Sequence, residues 1–391
     1  MIGLRNGFRA ACIVMTTAFL WAPAAAGQSP DDPRTIVTTS HRDVNYLMYA
    51  ADWFYPENRI ANDVHIGFDG TDWLFTDRAA GIDVRAGCTR VDELTVRCPD
   101  EWTHSVYVST AEADDLLDAR EARADGGWLG FDLGPGDDRL LGAPDVVGGT
   151  GGPGNDLLKL GPGRATGVGG GDGDDAISAG DGMHDLRGDG GTDAIVAGPG
   201  RDFLDCCGGD RGDDYLVGGA GDDELNAKRG ADVARGGPGD DSLDGTGDHG
   251  AVDILDCGPG NDEVAPGPGD VALANCELFS QVVGCDFYPG CVSTVVLVGR
   301  AAGRRVVLAR NKARHYDQAV VSLSVHRRAL RRVLGKAGRA RLTAVIESRS
   351  MGFPRTHRRT RGYAVARPRG VAKAMSRHPA AQRLSAVRST G

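Results

Sequence analysis

The chain has 391 residues, which is long enough for two or three structural units rather than one compact core. It contains 59 glycines, and because they follow no strict three-residue period, a collagen-like triple helix is excluded. The net charge of −10 hides two opposite blocks. Residues 133–276 hold 9 basic and 29 acidic residues (9 − 29 = −20), whereas residues 299–391 hold 24 basic and 2 acidic residues (24 − 2 = +22). This contrast predicts regions with different partners.

The first 26 residues have the pattern of a secretory signal peptide. Arg5 and Arg9 precede the apolar run AACIVMTTAFLWA, and the alanines at 24–26 offer a cleavage site. The run is too short to span a bilayer, which disfavours a membrane anchor. The sequence therefore predicts a secreted, extracellular protein, with cell-surface association as an option and no transmembrane segment after cleavage.

Residues 27–125 are expected to form a β-rich cap on the region that follows. Short runs of alternating apolar and polar residues, at 45–50, 63–68, 73–76 and 93–98, are typical of strands. The segment AEADDLLDA, around Asp115 and Leu117, looks like a worn copy of the repeat described next. The aromatic residues here favour core packing, with a carbohydrate-binding face as the alternative interpretation.

Residues 126–277 repeat a nine-residue pattern, GGxGxDxUx, in which U is a large apolar residue. Clear copies are GGPGNDLLK at 151–159, GGDGDDAIS at 170–178, GGAGDDELN at 218–226 and GGPGDDSLD at 236–244. These residues resemble the hemolysin-type (RTX-like) calcium-binding repeat family. The resemblance implies an all-β solenoid, a parallel β-roll in which two repeats make one turn, with Ca²⁺ as its cofactor.

The chemistry of the pattern supports the same fold independently. The glycines permit positive φ angles and close backbone approach, while the U side chains stack into a narrow core. Successive turns lie about 4.8 Å apart, so the aspartates of neighbouring turns form a column. Such a column repels itself unless a hard cation with oxygen ligands, such as Ca²⁺, neutralises it. A disordered Gly/Asp linker is disfavoured, because it gives no reason for an apolar residue two positions after each aspartate.

The spacing divides the template aspartates into two columns on opposite edges of the roll. We expect calcium ligands at Asp138, Asp145, Asp156, Asp175, Asp193, Asp202, Asp214, Asp223, Asp232, Asp241, Asp253 and Asp262. The first column, an unbroken run, is expected to contain Asp138, Asp156, Asp175, Asp193, Asp214, Asp232 and Asp253. The second column contains the others and is interrupted at Ala165 and His184. Val271 also takes a template position, and Gly167 and Ala234 take apolar positions. His184 is expected to mark a degenerate turn rather than a transition-metal site.

Residues 285–368 are predicted to form a small antiparallel, sandwich-like β domain with a basic surface. Runs such as VSTVVLVG and ARLTAVIES indicate strands, and RRALRRVLGK indicates a short helix or a tight basic connection. The charge favours an anionic cell-wall polymer as partner, while contact with the acidic array or a merely solvated face are alternatives. No nucleic-acid partner is expected, because no binding motif for one is present. Residues 369–391 are predicted to be a disordered basic tail.

Removal of the signal leaves eight of the nine cysteines, an even number that suits an exported protein. Proximity in sequence favours three disulfides, Cys88–Cys98, Cys257–Cys276 and Cys285–Cys291. The adjacent Cys206 and Cys207 could form a vicinal bridge or stay free. A zinc site is disfavoured, because the chain has no CxxC pair.

No motif for catalysis stands out. HExxH, GxSxG in a strand–turn–helix context and a P-loop are all missing from the sequence. We therefore expect a calcium-binding protein with a structural or adhesive role at the cell envelope, and no enzyme. The alternatives are an envelope- or polysaccharide-acting enzyme that uses the roll as a folding module, and a spacer that separates the two flanking regions.

Overall fold

The computed structural model of the chain describes residues 35–39, 47–50, 61–79, 81–84, 87–100, 105–110, 112–122, 128–143, 145–206, 212–247, 251–273, 275–284, 291–315, 318–351, 356–367 and 375–382. The predicted signal peptide lies outside these residues. No described helix is long and apolar enough to cross a membrane.

Ten strands precede the main repeat array. They are β1 (Thr35–Thr39), β2 (Leu47–Ala50), β3 (Asp63–Phe68), β4 (Asp72–Asp77), β5 (Ile82–Val84), β6 (Thr89–Arg90), β7 (Thr95–Pro99), β8 (Ser105–Ser109), β9 (Leu116–Glu121) and β10 (Trp128–Asp132).

Fifteen strands follow among the described residues of the array. They are β11 (Arg139–Ala143), β12 (Val146–Thr150), β13 (Leu157–Leu160), β14 (Gly163–Asp172), β15 (Ala176–Ser178), β16 (Gly182–Gly190), β17 (Ala194–Val196), β18 (Phe203–Asp205), β19 (Tyr215–Val217), β20 (Glu224–Asn226), β21 (Val233–Arg235), β22 (Ser242–Gly245), β23 (Ile254–Asp256), β24 (Glu263–Pro266) and β25 (Val271–Leu273).

The C-terminal region adds longer strands and the helix α1. They are β26 (Leu278–Gly284), β27 (Cys291–Ala301), β28 (Arg304–His315), β29 (Gln318–Ser324), α1 (Arg327–Leu334), β30 (Arg339–Ser350) and β31 (Thr356–Ala366).

Successive array strands alternate between two parallel sheets. The even-numbered strands β12 to β24 pair with one another in the first sheet, and the odd-numbered strands β11 to β25 pair in the second. Two repeats therefore make one turn, and the solenoid has about eight turns. This arrangement confirms the predicted all-β parallel roll.

Apolar side chains fill the space between the two sheets. In the second sheet, for example, Ile195 pairs with Leu216 and Leu216 with Ala234, and all three are fully buried. In the first sheet Leu204, Leu225 and Leu243 stack in the same way. The burial of each such leucine contributes about 1.5–3 kcal/mol, so the stacked column supplies a continuous core.

The parallel stacking begins before the predicted boundary at residue 126. In the first sheet β10 pairs with β8 and β8 with β2; in the second, β11 pairs with β9 and β9 with β3. The segment around Asp115 is thus a turn of the solenoid, as its worn repeat suggested. Antiparallel strands β4, β6 and β7 complete this end, where the predicted disulfide Cys88–Cys98 is present.

The C-terminal strands continue both sheets of the roll. Strand β26 pairs in parallel with β24 and then antiparallel with β29. Strand β31 pairs in parallel with β25 and is followed by the antiparallel strands β30, β27 and β28. The predicted Cys257–Cys276 disulfide ties the last turns together. Cys206 and Cys291 are also disulfide-bonded, and Cys207 and Cys285 lie outside the described residues.

Part of the C-terminal tail packs against the roll. Within residues 375–382, Ala380 is fully buried beside Ala194, and the His378 ring lies 6.0 Å from the ring of Tyr215. These residues belong to the tail 369–391, for which disorder stays a prediction. Small apolar side chains on the outer face of the second sheet provide its contact.

Candidate calcium-binding columns

The first column of aspartates is a ladder of hydrogen bonds along one edge of the roll. Each carboxylate Oδ1 accepts a hydrogen bond from the backbone N–H of the aspartate one turn earlier, at 2.7–3.1 Å. The ladder contains Asp115, Asp138, Asp156, Asp175, Asp193, Asp214, Asp232, Asp253 and Asp270. All nine side chains are buried. The seven predicted members are in register, and the ladder extends beyond them at both ends.

The second column runs along the other edge and is shorter. The backbone N–H of His184 donates to Asp202 Oδ1, and the same bond links Asp202 to Asp223, Asp223 to Asp241 and Asp241 to Asp262, at 2.9–3.1 Å. These aspartates precede strands of the first sheet, whereas those of the first column precede strands of the second. The predicted assignment to opposite edges thus follows the alternation of the strands.

Two positions differ from the predicted register by one residue. Val146, rather than Asp145, pairs with Ala165, and Ala165 pairs with His184. Asp145 is partly exposed and only accepts the Arg164 N–H at 2.9 Å, so it lies outside the column. At the far end Asp270, not Val271, takes the template position, because the Asp253 N–H donates to its Oδ1.

A bulge explains the irregular core position at Gly167. The pairing of β14 with β16 shifts between Ala165 and Val168, so that Val168 pairs with Leu186 and is fully buried. Gly167 has φ of 66° and occupies the extra position. A valine therefore fills the core at this turn, one residue later than the repeat pattern predicts.

The second carboxylate oxygen, Oδ2, lacks a hydrogen-bond partner in many of the column aspartates. Oδ2 is buried and has no hydrogen-bond partner in Asp115, Asp138, Asp156, Asp175, Asp202, Asp223, Asp241 and Asp262. An unpaired buried carboxylate oxygen is costly, so a ligand is expected to satisfy it. The same feature recurs turn after turn in both columns.

The first glycine of each repeat leaves room beside this oxygen. A Cβ added at Gly151 would overlap Asp156 Oδ2 and lie 2.7 Å from the main-chain oxygen of Gly170 in the next turn. A Cβ at Gly170 would likewise overlap Asp175 Oδ2. Each pocket thus brings a carboxylate oxygen close to a glycine and, at Gly151, to a carbonyl oxygen. Hard oxygen ligands of this kind suit Ca²⁺.

Burial raises the pKa of these carboxyl groups, and the backbone N–H donated to each one offsets the rise in part. The pKa of Asp138 and Asp175 rises to about 8, that of Asp115, Asp156 and Asp241 to about 7, and that of Asp223 and Asp262 to about 6. Neighbouring aspartates in the column raise the values further in most of these groups. Without a cation, the carboxyl groups with a pKa of about 7 to 8 therefore bind protons near neutral pH.

A second ladder of polar side chains lies one residue earlier in each repeat. Asp114, Asp137, Asn155 and Asp174 each accept the backbone N–H of the following turn, at 2.8–2.9 Å. Asp213, Asp222 and Asp240 do the same elsewhere in the array. These residues were not among the predicted ligands, although the recurring Asp-Asp and Asn-Asp dipeptides point to them. They fix the register from the exposed side of the turn.

The first column ends in a hydrogen-bonded network of Asn62, Tyr49 and the buried carboxylate of Asp77. Asn62 N–H donates to Asp115 Oδ1 at 2.6 Å, and its side-chain amide donates to the main-chain oxygen of Thr110 at 2.8 Å. Tyr49, which is fully buried, donates its hydroxyl to Asp77 Oδ2 at 3.0 Å. Amide and hydroxyl groups here replace the next aspartate of the column. The three segments involved are far apart in sequence, so the repeat pattern could not reveal this network.

His184 stands in the place of an aspartate at the start of the second column. It is buried, and its Nδ1 lies 2.8 Å from Asp202 Oδ1, while Nε2 has no hydrogen-bond partner. The described residues place no group of three or more metal-binding side chains around it.

One cluster with metal-ligand geometry combines column members with a cysteine. Single ligand atoms of Cys206, Asp214 and Asp232 lie within 4.8 Å of one another. Cys206 is disulfide-bonded, so its sulfur is not a thiolate, and thiolate is the form of cysteine that binds metals. The two carboxylates remain ligands of the column type.

Comparison with known proteins agrees with this geometry. No curated protein matches the chain. The family model for the RTX calcium-binding nonapeptide repeat (4 copies) matches residues 208–234, 217–252 and 227–264. The matched region contains members of both aspartate columns. The chain therefore carries RTX calcium-binding nonapeptide repeats, and calcium is the cofactor that such repeats bind.

Proposed function

We propose that the columns hold calcium ions between successive turns of the roll. The observation that carries this proposal is the buried, unpartnered Oδ2 that recurs along both edges. The ligands are the predicted aspartates other than Asp145, with Asp115 added. Asp270, whose Oδ2 accepts the Gly267 N–H, ends the first column. Bound Ca²⁺ supplies the positive charge that the carboxylates need once they are removed from water.

We propose further that the protein is secreted and folds on calcium outside the cytoplasm. With nine buried aspartates on one edge, the calcium-free roll carries repulsion that its narrow core must overcome. Extracellular calcium modules bind in the range of about 0.1–1 mM, which external calcium reaches. The N-terminal signal pattern and the two disulfides support the same location.

We assign the protein a structural or adhesive role at the cell envelope, without catalysis. The column carboxylates are engaged in interturn hydrogen bonds, which suits cation binding better than proton transfer to a substrate. In this proposal the basic C-terminal region attaches the protein to an anionic envelope polymer. The acidic roll then acts as a calcium-stiffened body.

Circular dichroism of the purified mature chain tests calcium-dependent folding. We expect β signal to appear as calcium is titrated into the chelated protein and to disappear on chelation. Magnesium at the same concentration is the control, and it should restore little signal, because it demands octahedral geometry and dehydrates reluctantly. A spectrum that is the same with calcium and with chelator contradicts the proposal.

A further inference from the structure

The outer face of the C-terminal sheet has a shallow groove along β27. In this strand Ser293, Val295 and Leu297 are buried, whereas Val292, Thr294 and Val296 point to the outer side and are partly exposed. A strand alternates its side chains in this way when one face packs and the other meets solvent. The small outer side chains of β27 form the floor of the groove.

Basic side chains lie on both sides of this face of β27, and two of them, Arg310 and Arg358, line the groove itself. On β28, Arg310, Lys312 and Arg314 pair with Val296, Thr294 and Val292 and therefore share their face. The second wall comes from the neighbouring strands β30 and β31. There Arg349 pairs with Val292, and Arg358 pairs with Glu347, the partner of Thr294. All five cations are exposed.

The groove is a real concavity with little negative charge. It encloses about 380 Å³ and is lined by Thr294, Val296, Arg305, Val307, Arg310, Val345, Glu347 and Arg358. Glu347 is the single acidic residue in the sequences of β27, β28, β30 and β31, and it lies 3.6 Å from Arg358. Cations therefore outnumber anions strongly, and an anionic ligand is complementary to this face.

The spacing and residue types specify the anion. Alternate residues of a strand lie about 6.8 Å apart, so the β28 wall suits a linear chain with charges at that interval. Arginine matches phosphate geometry through paired N–H donors. These four strands contain one Phe, Tyr or Trp residue, Tyr363, and it is buried, so the groove offers nucleobases no such ring on which to stack.

We infer that this groove binds a linear phosphodiester polymer without bases, of the polyol-phosphate class, along β27. The inference deepens the proposed attachment to an anionic envelope polymer and rests on it. The β28 wall contacts successive phosphates, Arg349 and Arg358 contact the opposite side, and the small floor residues admit the polyol backbone. Calcium folding of the roll is a separate property and can be measured separately.

The test uses the full mature chain in calcium and a fluorescent poly(glycerol phosphate) oligomer. The variant Arg310→Gln/Arg358→Gln removes two charges that line the groove, and Arg328→Gln/Arg332→Gln removes two exposed charges from α1 as the matched control. We expect the first variant to weaken binding about tenfold or more and the control to stay within about twofold of the parent. The slope of log affinity against log salt should fall by about 1.4 in the first variant alone, at about 0.7 per lost phosphate contact.

Each other outcome overturns the inference. Equal weakening by the two variants would mean that net charge, not the groove, holds the polymer. Tighter binding of an oligothymidylate of equal length would assign the groove to nucleic acid, and tighter binding of a polyuronate would assign it to carboxylates. Calcium titration by circular dichroism on the same samples shows whether the variants fold and whether the calcium proposal holds independently.

Discussion

The two edges of the roll differ in how many of their turns carry the aspartate of the repeat. The first column is unbroken from Asp115 to Asp270, whereas the second begins at His184 and continues through Asp202 to Asp262. Earlier on the second edge, the column positions hold Ala165 and Val146, both buried and apolar. An apolar side chain at this position carries no charge to neutralise. The roll therefore stacks its turns with a carboxylate or without one, and we expect only the turns with carboxylates to depend on calcium for their stacking.

The largest expected effect is the difference in bound calcium between substituting an aspartate inside the second column and substituting one outside it. Asp223 contributes to two interturn sites, with Asp202 and with Asp241, so Asp223→Asn should remove about two bound ions. Asp145→Asn is the matched control, and it should leave calcium binding unchanged, because Asp145 lies outside the column. Titration calorimetry measures both stoichiometries. Equal losses in the two variants would show that the observed register does not govern binding.

Glycine substitutions compare intact and interrupted parts of the same edge. Gly221 has φ of 136°, and a Cβ there would overlap the main-chain oxygen of Gly200. Gly221→Ala should therefore destabilise the calcium-bound protein by about 2–4 kcal/mol. Gly167 also has positive φ, but an added Cβ would meet nothing within 4 Å, so Gly167→Ala should cost only about 1 kcal/mol.

Urea unfolding in excess calcium measures the two glycine variants. The regions of the protein should unfold in the same order in the parent and in both variants. The urea midpoint of unfolding should shift more in Gly221→Ala than in Gly167→Ala. If Gly167→Ala is the more damaging change, close backbone approach is not what the repeat glycines provide.

The stability of the folded protein should depend on pH in opposite directions in the absence and in the presence of calcium. Without calcium, burial holds the pKa of Asp138 and Asp175 at about 8, above the value of about 3.9 in an unfolded chain. The folded state then binds more protons than the unfolded state between these values. Its stability is therefore greatest at the acidic end and falls as pH rises towards 8. With calcium the trend reverses, because the ion needs the ionised carboxylates.

The columns should release calcium at different pH values. Protons compete more strongly in the first column, where pKa values are about 7 to 8, than in the second, where they are about 6 to 7. On acidification at limiting calcium, we expect release from the first column before the second. Asp175→Asn should diminish the early phase and Asp223→Asn the late one, as followed with a calcium electrode. A single phase that neither variant alters would contradict this order.

The sequence allowed the prediction of the repeating parts of the site, because period and chemistry coincide there. Asp156 and Asp223 follow from counting alone, since nine-residue steps carry both the turn and the strand. Counting fails where a turn changes length: Asp270 follows Asp253 by 17 residues instead of 18 or more, so the predicted position shifted to Val271. Pairing across the sheet, which the sequence does not display, sets the register at such places.

The ends of the roll were harder to predict for a different reason. The contact between Asn62 and Asp115 joins residues 53 positions apart and uses an amide in place of a carboxylate. The packing of Ala380 on Ala194 likewise depends on a surface that exists only after the turns have stacked. Local composition describes the acidic and basic regions well, but such long-range contacts arise only from the folded solenoid.

Placing a carboxylate at position 184 is the most specific test of the comparison between the two columns. It also has the smallest expected effect. His184 already occupies the column position, and its N–H donates to Asp202 Oδ1 as the template aspartates do. The change His184→Asp should therefore complete one interturn site with Asp202. It should add no second site, because the preceding turn offers Ala165.

The expected result of His184→Asp is one additional calcium ion in titration calorimetry, with little change in the circular dichroism spectrum. His184→Asn is the matched control. Asparagine resembles aspartate in size and hydrogen-bonding capacity but has no charge, so this variant should bind as many ions as the parent. The gain must come from the charge, because Ca²⁺ binds strongly where two carboxylates meet across a turn. If both variants bind equally, one aspartate per turn is not the unit that builds a site, and the interruption of the second column has another origin.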